Sequence, residues 1–272
     1  MLPRRFEIPR VRFYPQLVLL AAVLVCGALG AGAVNAQQRL SKRYPAGKKV
    51  RIELKNISGT ITVESWDRDE IKLTATFDSP KANIAPRQTG ESLIVDVMAD
   101  NRGRSDVGDV NFNLQVPVDS SVDLQTKRGQ ITVTNIRGAL VSAHVSLEGD
   151  ITLNGISANE VYAQNTIGNI HFDGEFASGG TYRFQSTKGD ITIRIPANSA
   201  FNLDASAPNR KITLNEFWNK DFRSLGDGRK LQGDVIDGRS KVFVTNFQGS
   251  ITWFRPTDFP LADRWHREHS LK

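Results

Sequence analysis

The chain has 272 residues, with 35 Lys and Arg against 29 Asp and Glu, four His and a single Cys. That length holds one large or two small domains, and one cysteine excludes a disulfide framework. Four of the basic residues and one acid fall within the first 36 positions, so the remainder carries a net charge of only +3, too little to read as a nucleic-acid footprint.

The N-terminal segment 1–36 reads as a signal peptide. Arg4, Arg5, Arg10 and Arg12 precede an almost wholly apolar run from Leu17 to Leu29, and Val34-Asn35-Ala36 before Gln37 has the small-x-small form of a cleavage site. The alternative is an uncleaved membrane anchor, because the run approaches the ~20 residues that span a bilayer. Cys26 lies inside this run behind Val25, where a lipoprotein signal would want Gly or Ala. The Arg4-Arg5 pair is followed by Glu7 and Pro9, which points to the general secretion route rather than the twin-arginine one.

Residues 37–49, with Pro45, Gly47 and five basic side chains, are expected to form a linker. Strand patterns follow it. Val50, Ile52 and Leu54 alternate with polar residues, as do Ile61 and Val63, then Ile71, Leu73 and Ala75, then Leu93, Val95 and Val97, then Phe112, Leu114 and Val116. The polar stretch from Ala99 to Val110 reads as a hairpin tip.

One pattern recurs along the chain: a turn residue, a polar residue, Ile, Thr or His, and another apolar residue. Its copies begin at Gly59, Gly129, Gly149, Gly168, Gly189, Arg210 and Gly249, and from Gly129 to Arg210 they lie 19 to 21 residues apart. Each period holds a short alternating strand before the turn and another after it. This predicts an all-β, short-period β-solenoid or β-helix-like stack over residues 50–254, with two strands per ~20-residue repeat. Ile131, Ile151, Ile170, Ile191, Ile212 and Ile251 should form one buried ladder, with consecutive copies stacked, and Thr132, Thr152, His171, Thr192, Thr213 and Thr252 an outward one. Residues 216–240 break the period as a longer excursion. In the tail, 255–272, a short capping helix is expected from Asp258, with Leu261 and Trp265 on one side.

The run Asn56-Ile57-Ser58-Gly59-Thr60-Ile61-Thr62-Val63, the segment Trp66-Asp67-Arg68-Asp69-Glu70, the Gly-Asp-Ile-Thr copies and Val244-Thr245-Asn246-Phe247-Gln248-Gly249-Ser250-Ile251 together resemble the bacterial putative-adhesin family. The resemblance covers about Val50 to Phe254. It implies an extracytoplasmic β-repeat domain of envelope proteins, and it brings no catalytic residues. Arg210-Lys211 departs from the pattern, replacing Gly-Asp at one turn.

No catalytic constellation is legible: there is no Gly-x-Ser-x-Gly elbow, His-Glu-x-x-His helix or phosphate-binding loop, and no cofactor is expected. His266 and His269 could share a helix face and bind a transition metal, but two ligands without a nearby third carboxylate or thiol make a weak site. Asp150 and Asp190 raise the possibility of calcium or of a paired-carboxylate glycan enzyme, yet Gln130, Asn169 and Lys211 hold the equivalent positions, which favours turn chemistry. Lys188-Gly189-Asp190, which resembles an integrin-binding tripeptide, is accounted for as one copy of the repeat.

The candidate binding residues are Phe217, Trp218, Lys220, Phe222 and Arg223, near Arg229 and Lys230, where rings can stack on sugars and cations can meet acidic glycans or phospholipid head groups. Their competing role is to cover the open end of the stack. The expected function is a non-enzymatic, exported binding or scaffold module, adhesin-like, in the periplasm, at the outer membrane surface or secreted. Its partner would be an envelope glycan, a lipid head group or an envelope protein, and the chain is expected to be monomeric or weakly associating. The alternatives are an envelope-stress sensing or signalling domain and a carbohydrate-active β-helix enzyme.

Overall fold

A computed structural model describes residues 38–79 and 81–255. The expected signal peptide and the expected capping helix lie outside the described residues. In chain order the first strands are β1 (Gln38–Pro45), β2 (Arg51–Lys55), β3 (Ile61–Trp66), β4 (Glu70–Phe77), β5 (Arg87–Thr89) and β6 (Ser92–Asp96), followed by a single helical turn α1 (Val97–Asp100) and β7 (Val110–Pro117). The repeats supply β8 (Ser121–Arg128), β9 (Ile131–Thr134), β10 (Leu140–Glu148), β11 (Ile151–Ile156), β12 (Glu160–Ile167), β13 (Ile170–Gly174), β14 (Thr181–Lys188) and β15 (Ile191–Arg194). The last part holds β16 (Phe201–Ser206), β17 (Ile212–Thr213), a 3-10 turn at Asn215–Phe217, β18 (Arg223–Leu225), β19 (Lys230–Val235), β20 (Ser240–Gln248) and β21 (Ile251–Phe254).

These strands form two large mixed sheets around one apolar core. Sheet A has the order β1-β4-β7-β3-β9-β11-β13-β15-β21-β17, and sheet B the order β18-β19-β16-β20-β14-β12-β10-β8-β2-β6-β5. Each repeat sends its pre-turn strand to sheet B and its post-turn strand to sheet A, in parallel register with the neighbouring copy. In sheet A, Phe112, Ile61, Ile131, Ile151, Ile170, Ile191, Ile251 and Ile212 therefore lie side by side in one buried row. Toward the C-terminal end the filling turns aromatic. Phe201 stacks on Trp253 with ring centroids 5.0 Å apart and an interplanar angle of 4°, and Phe172, Phe176 and Tyr182 complete the cluster.

The copies are locked at the turn. Val110, Gly59, Gly129, Gly149, Gly168, Gly189 and Gly249 form a column in which each glycine Cα lies against the backbone of the preceding member. A Cβ on Gly149 would come within 2.0 Å of the Gly129 carbonyl oxygen, and one on Gly189 within 2.0 Å of that of Gly168. Gly189 also has φ +135°, a region closed to side chains. Buried polar residues three positions before the glycines bind the column's carbonyls: Asn56 donates to the Val110 carbonyl (2.8 Å), Asn165 to Gly149 (3.2 Å), Ser186 to Gly168 (3.3 Å) and Asn246 to Gly189 (2.7 Å). In β10 a register shift between Val145 and Glu148 puts apolar Val145 beside Thr126 and Asn165 instead.

Four expectations are corrected. Residues 38–45 are no linker: β1 pairs with β4 along all eight positions, and the strand escaped notice because only Leu40 and Tyr44 are even half-buried, so no alternation marks it. Val97 opens α1 rather than continuing β6, because the Asp96 carboxylate accepts the Ala99 amide as an N-cap. The final copies do not stack in chain order. β21 lies between β15 and β17, and β20 between β14 and β16, because the 216–240 excursion runs as the antiparallel β18–β19 pair along β16 and then returns the chain into the vacant slot. After three of the glycines the polar residue bonds the neighbouring copy rather than its own turn: Asp150 accepts the Asn169 amide (2.7 Å), Asn169 that of Asp190 (2.9 Å), and Asp190 that of Ser250 (2.8 Å).

The rung with Arg210-Lys211 in place of glycine is reduced to the two-residue β17 at the end of sheet A. The sheet edges are otherwise blunted: β5 and β18 have three residues each, and β1 presents Arg39, Lys42 and Arg43 and ends at Pro45.

Gly189→Ala should cost about 2–6 kcal/mol, from backbone strain and the carbonyl clash together. Gly179→Ala, at φ +78° with open space around the new Cβ, should cost only about 1 kcal/mol; urea unfolding of the two variants checks the difference. Tyr182, fully buried, donates to the Ala158 carbonyl at 2.7 Å, and burial raises its pKa. Its neutral form is the one the fold favours, so its contribution is complete below the ordinary tyrosine value of about 10 and is lost as pH rises through the raised one. Tyr182→Phe should be about 1–2 kcal/mol less stable than wild type at pH 7, and the gap should narrow in unfolding curves taken above pH 10.

Candidate functional site

Parallel register in sheet B turns every outward position of the pre-turn strand into a straight row across the strands. The central row reads Glu53, Asp123, Ser142, Tyr162, Arg183, Phe243, Asp204, Gln232 and Arg223. Beside it, toward the glycine column, runs a second row of Lys55, Gln125, His144, Gln164, Gln185, Thr245 and Ser206. Their inward neighbours, such as Tyr182, Phe184, Val242 and Val244, anchor the strands in the core. That alternation holds the outward side chains at the ~4.8 Å strand spacing.

At the middle of this face the Arg183 guanidinium carbon sits 4.8 Å from the centroid of the Phe243 ring, a cation–π contact. Tyr162 lies on the adjacent strand, and its hydroxyl reaches the Glu160 carboxylate at 3.3 Å. Burial and then the Glu160 charge raise the Tyr162 pKa, while the Arg183 charge acts to lower it. Arg183 is exposed, and among the described residues no carboxylate lies within ion-pair distance of it. The outer face of sheet A differs. There Thr152, His171 and Thr192 form one row, and in the next Arg194 is ion-paired with Asp173.

The candidate residues of the excursion do not form one site. Phe217 (4% exposed) and Phe222 (7%) belong to the core: Phe217 meets Phe201 and Trp253, and Phe222 fills the space over Gly233. Their expected role as ligand platforms is corrected, because closing the open end of the stack buries both rings. Trp218 is 53% exposed and stacks on Phe222 at 5.8 Å; Lys220 is exposed on the loop. Arg223 is exposed in β18 and falls in the central row of sheet B through its pairing with Gln232. Arg229 bonds the Gly226 carbonyl within its own turn at 2.7 Å.

Tyr162, Arg183, Phe243 and the glutamine row were missed, although aligning the copies on their glycines shows them. Glu53, Asp123, Tyr162, Arg183 and Phe243 all lie six positions before a glycine, and only Ser142, upstream of the β10 irregularity, is displaced by one.

Asp150 and Asp190 are separated by the Asn169 rung, and each accepts a backbone amide. Among the described residues no group of three or more His, Cys, Asp and Glu side chains is placed to hold a metal ion, and His266 and His269 lie outside them. Also among the described residues, no helix is long and apolar enough to cross a membrane.

Truncation separates the packing residues from the surface ones. Phe217→Ala should cost about 3–5 kcal/mol, whereas Trp218→Ala should stay within about 1 kcal/mol, as read from thermal and urea midpoints.

Residues 100–234 match the family model Toastrack DUF4097. No curated protein matches the chain in sequence. Among solved structures, a putative cell adhesion protein from Clostridium sporogenes aligns over 80% of this chain and 99% of its own, at 12% identity and a TM-score of 0.52. A putative adhesin from Bacteroides fragilis aligns over 81% and 99%, at 10% identity and a TM-score of 0.39. The Clostridium structure shares the fold, and the strands outside the matched segment belong to the same two sheets. Residues 100–234 thus match the Toastrack DUF4097 family, in keeping with the putative-adhesin resemblance of the sequence, and the chain shares its fold with the Clostridium structure.

Proposed function

We propose that the protein is a non-enzymatic, exported module of the cell envelope that binds an extended surface ligand, in the manner of an adhesin, on the outer face of sheet B. The observation that carries this reading is the central row, where an exposed guanidinium, with no carboxylate at ion-pair distance among the described residues, is held over Phe243 beside Tyr162. Aromatic and guanidinium groups preorganised by a rigid sheet lose little freedom on binding. The run from Ser121 to Arg194 acts as a flattened, short-period solenoid, which repeats one outward side chain per rung in each row. Export rests on the leader at 1–36, and a surface role accords with the Clostridium structure of like fold, a putative cell adhesion protein. The carboxylates of the enzymatic alternative, Asp150 and Asp190, serve the turn ladder.

The double variant Arg183→Ala, Tyr162→Ala should lose at least about tenfold in retention on isolated envelope material, with thermal unfolding little changed because both side chains point outward. Trp218→Ala with Lys220→Ala should bind as wild type does. Retention at the wild-type level by the first double variant would remove the sheet B face from consideration.

A further inference from the structure

We infer that the ligand of the sheet B face is an acidic heteropolysaccharide, lying across the strands along the central row, whose carboxylate sugars are separated by neutral ones. This inference rests on the binding reading above. The Phe243 ring meets Arg183 by a cation–π contact, which takes up no acceptor, so the guanidinium can still meet a carboxylate in bidentate fashion. One strand away, Tyr162 offers a ring to the apolar face of the next sugar. Alongside, Gln125, Gln164 and Gln185 each supply an amide that both donates and accepts, matched to hydroxyl groups. The ~4.8 Å rung spacing is close to the advance of one pyranose in an extended chain, so successive sugars meet successive rungs.

The charges along the row set the composition. Arg183 and Arg223 are four strands apart, Asp204 lies between them, and Asp123 lies three strands from Arg183 on the other side. A polymer charged at every sugar would bring carboxylates onto Asp204 and Asp123. One charged at intervals of about four sugars would reach both arginines and pass Asp204 and Asp123 with neutral sugars; the row favours a stretch that ends before Glu53, four strands beyond Arg183, whose carboxylate is taken up by Arg51. Acids and cations alternate over the outward rows, with Glu53, Asp123, Glu160 and Asp204 among Arg51, Lys55, Arg183 and Lys241, which leaves no uniformly basic patch for an anionic membrane surface, and the rows lack the apolar centre of a stable protein interface.

The probe is gellan, a linear polysaccharide with one glucuronate in four sugars, as depolymerised chains. Carboxyl-reduced gellan, polygalacturonate and phosphatidylglycerol vesicles are the comparisons, in calorimetry or affinity electrophoresis with the full mature chain. Wild type should bind gellan in a salt-sensitive manner, at least tenfold more tightly than the reduced polymer or polygalacturonate. Arg183→Gln should lose that preference while unfolding at the wild-type temperature. Equal binding of native and reduced gellan, lost in Tyr162→Ala, would overturn the acidic class and leave the face standing. Polygalacturonate bound as well as gellan would overturn the spacing. Gellan binding unchanged in both Arg183→Gln and Tyr162→Ala would overturn the inference and the face together. Vesicle binding in place of gellan, or no binding to any probe, would overturn the polysaccharide, and envelope retention by the double variant would then judge the face alone.

Discussion

The contact on which the rest of the structure depends is the approach of each turn glycine to the backbone of the one before it. With no Cβ at these positions, successive copies close to the distance of hydrogen-bonded strands at the turn as well as along the ladders. Asn165, Ser186 and Asn246 then donate to the carbonyls that face the column, which would otherwise be buried without a partner. The carboxylates and amides of Asp150, Asn169 and Asp190 repeat the stitch one residue further out. Register in both sheets is set at this edge. A slip by one residue would turn every core side chain outward, and the column would clash before the core could reform.

From that register follow the two outer faces. The same parallel stacking that lines up the buried isoleucines also lines up whatever the chain places outward. On sheet A the row is mostly threonine, and Arg194 is neutralised by Asp173. On sheet B it is a sequence of different chemistries, with Tyr162, Arg183 and Phe243 adjacent and cations four strands apart. A repeat that needs sameness inside the core is free to vary outside it, and variation along an otherwise regular row is where recognition can be encoded.

The excursion shows how a surface reading fails. Phe217, Trp218 and Phe222 stand among basic residues in the chain, as a sugar-binding loop would, but the last rung leaves an open end to the core that has to be covered. Phe217 takes its place against Trp253 and Phe201, and Phe222 the space over Gly233. Only Trp218 of the three rings keeps substantial exposure. Arg223 does reach the outer face of sheet B, for a reason invisible locally: the antiparallel β18–β19 pair carries it into the row begun by Glu53.

What the sequence by itself determined is what repeats: the all-β class, the buried isoleucine row, the glycine turns and the outward threonines. Each is written as a local period that the pleat translates directly into a face. Three features were decided only by the tertiary structure. β1 is a strand because β4 supplies its hydrogen-bond partners, although its own side chains carry no pattern. β20 and β21 enter between earlier copies because the β18–β19 pair occupies the end of sheet B and returns the chain to an empty slot. The central row of sheet B exists because residues as far apart in the chain as Glu53 and Phe243 are brought into one row of one sheet, and adjacency between strands is a property of the stack, which no single period contains.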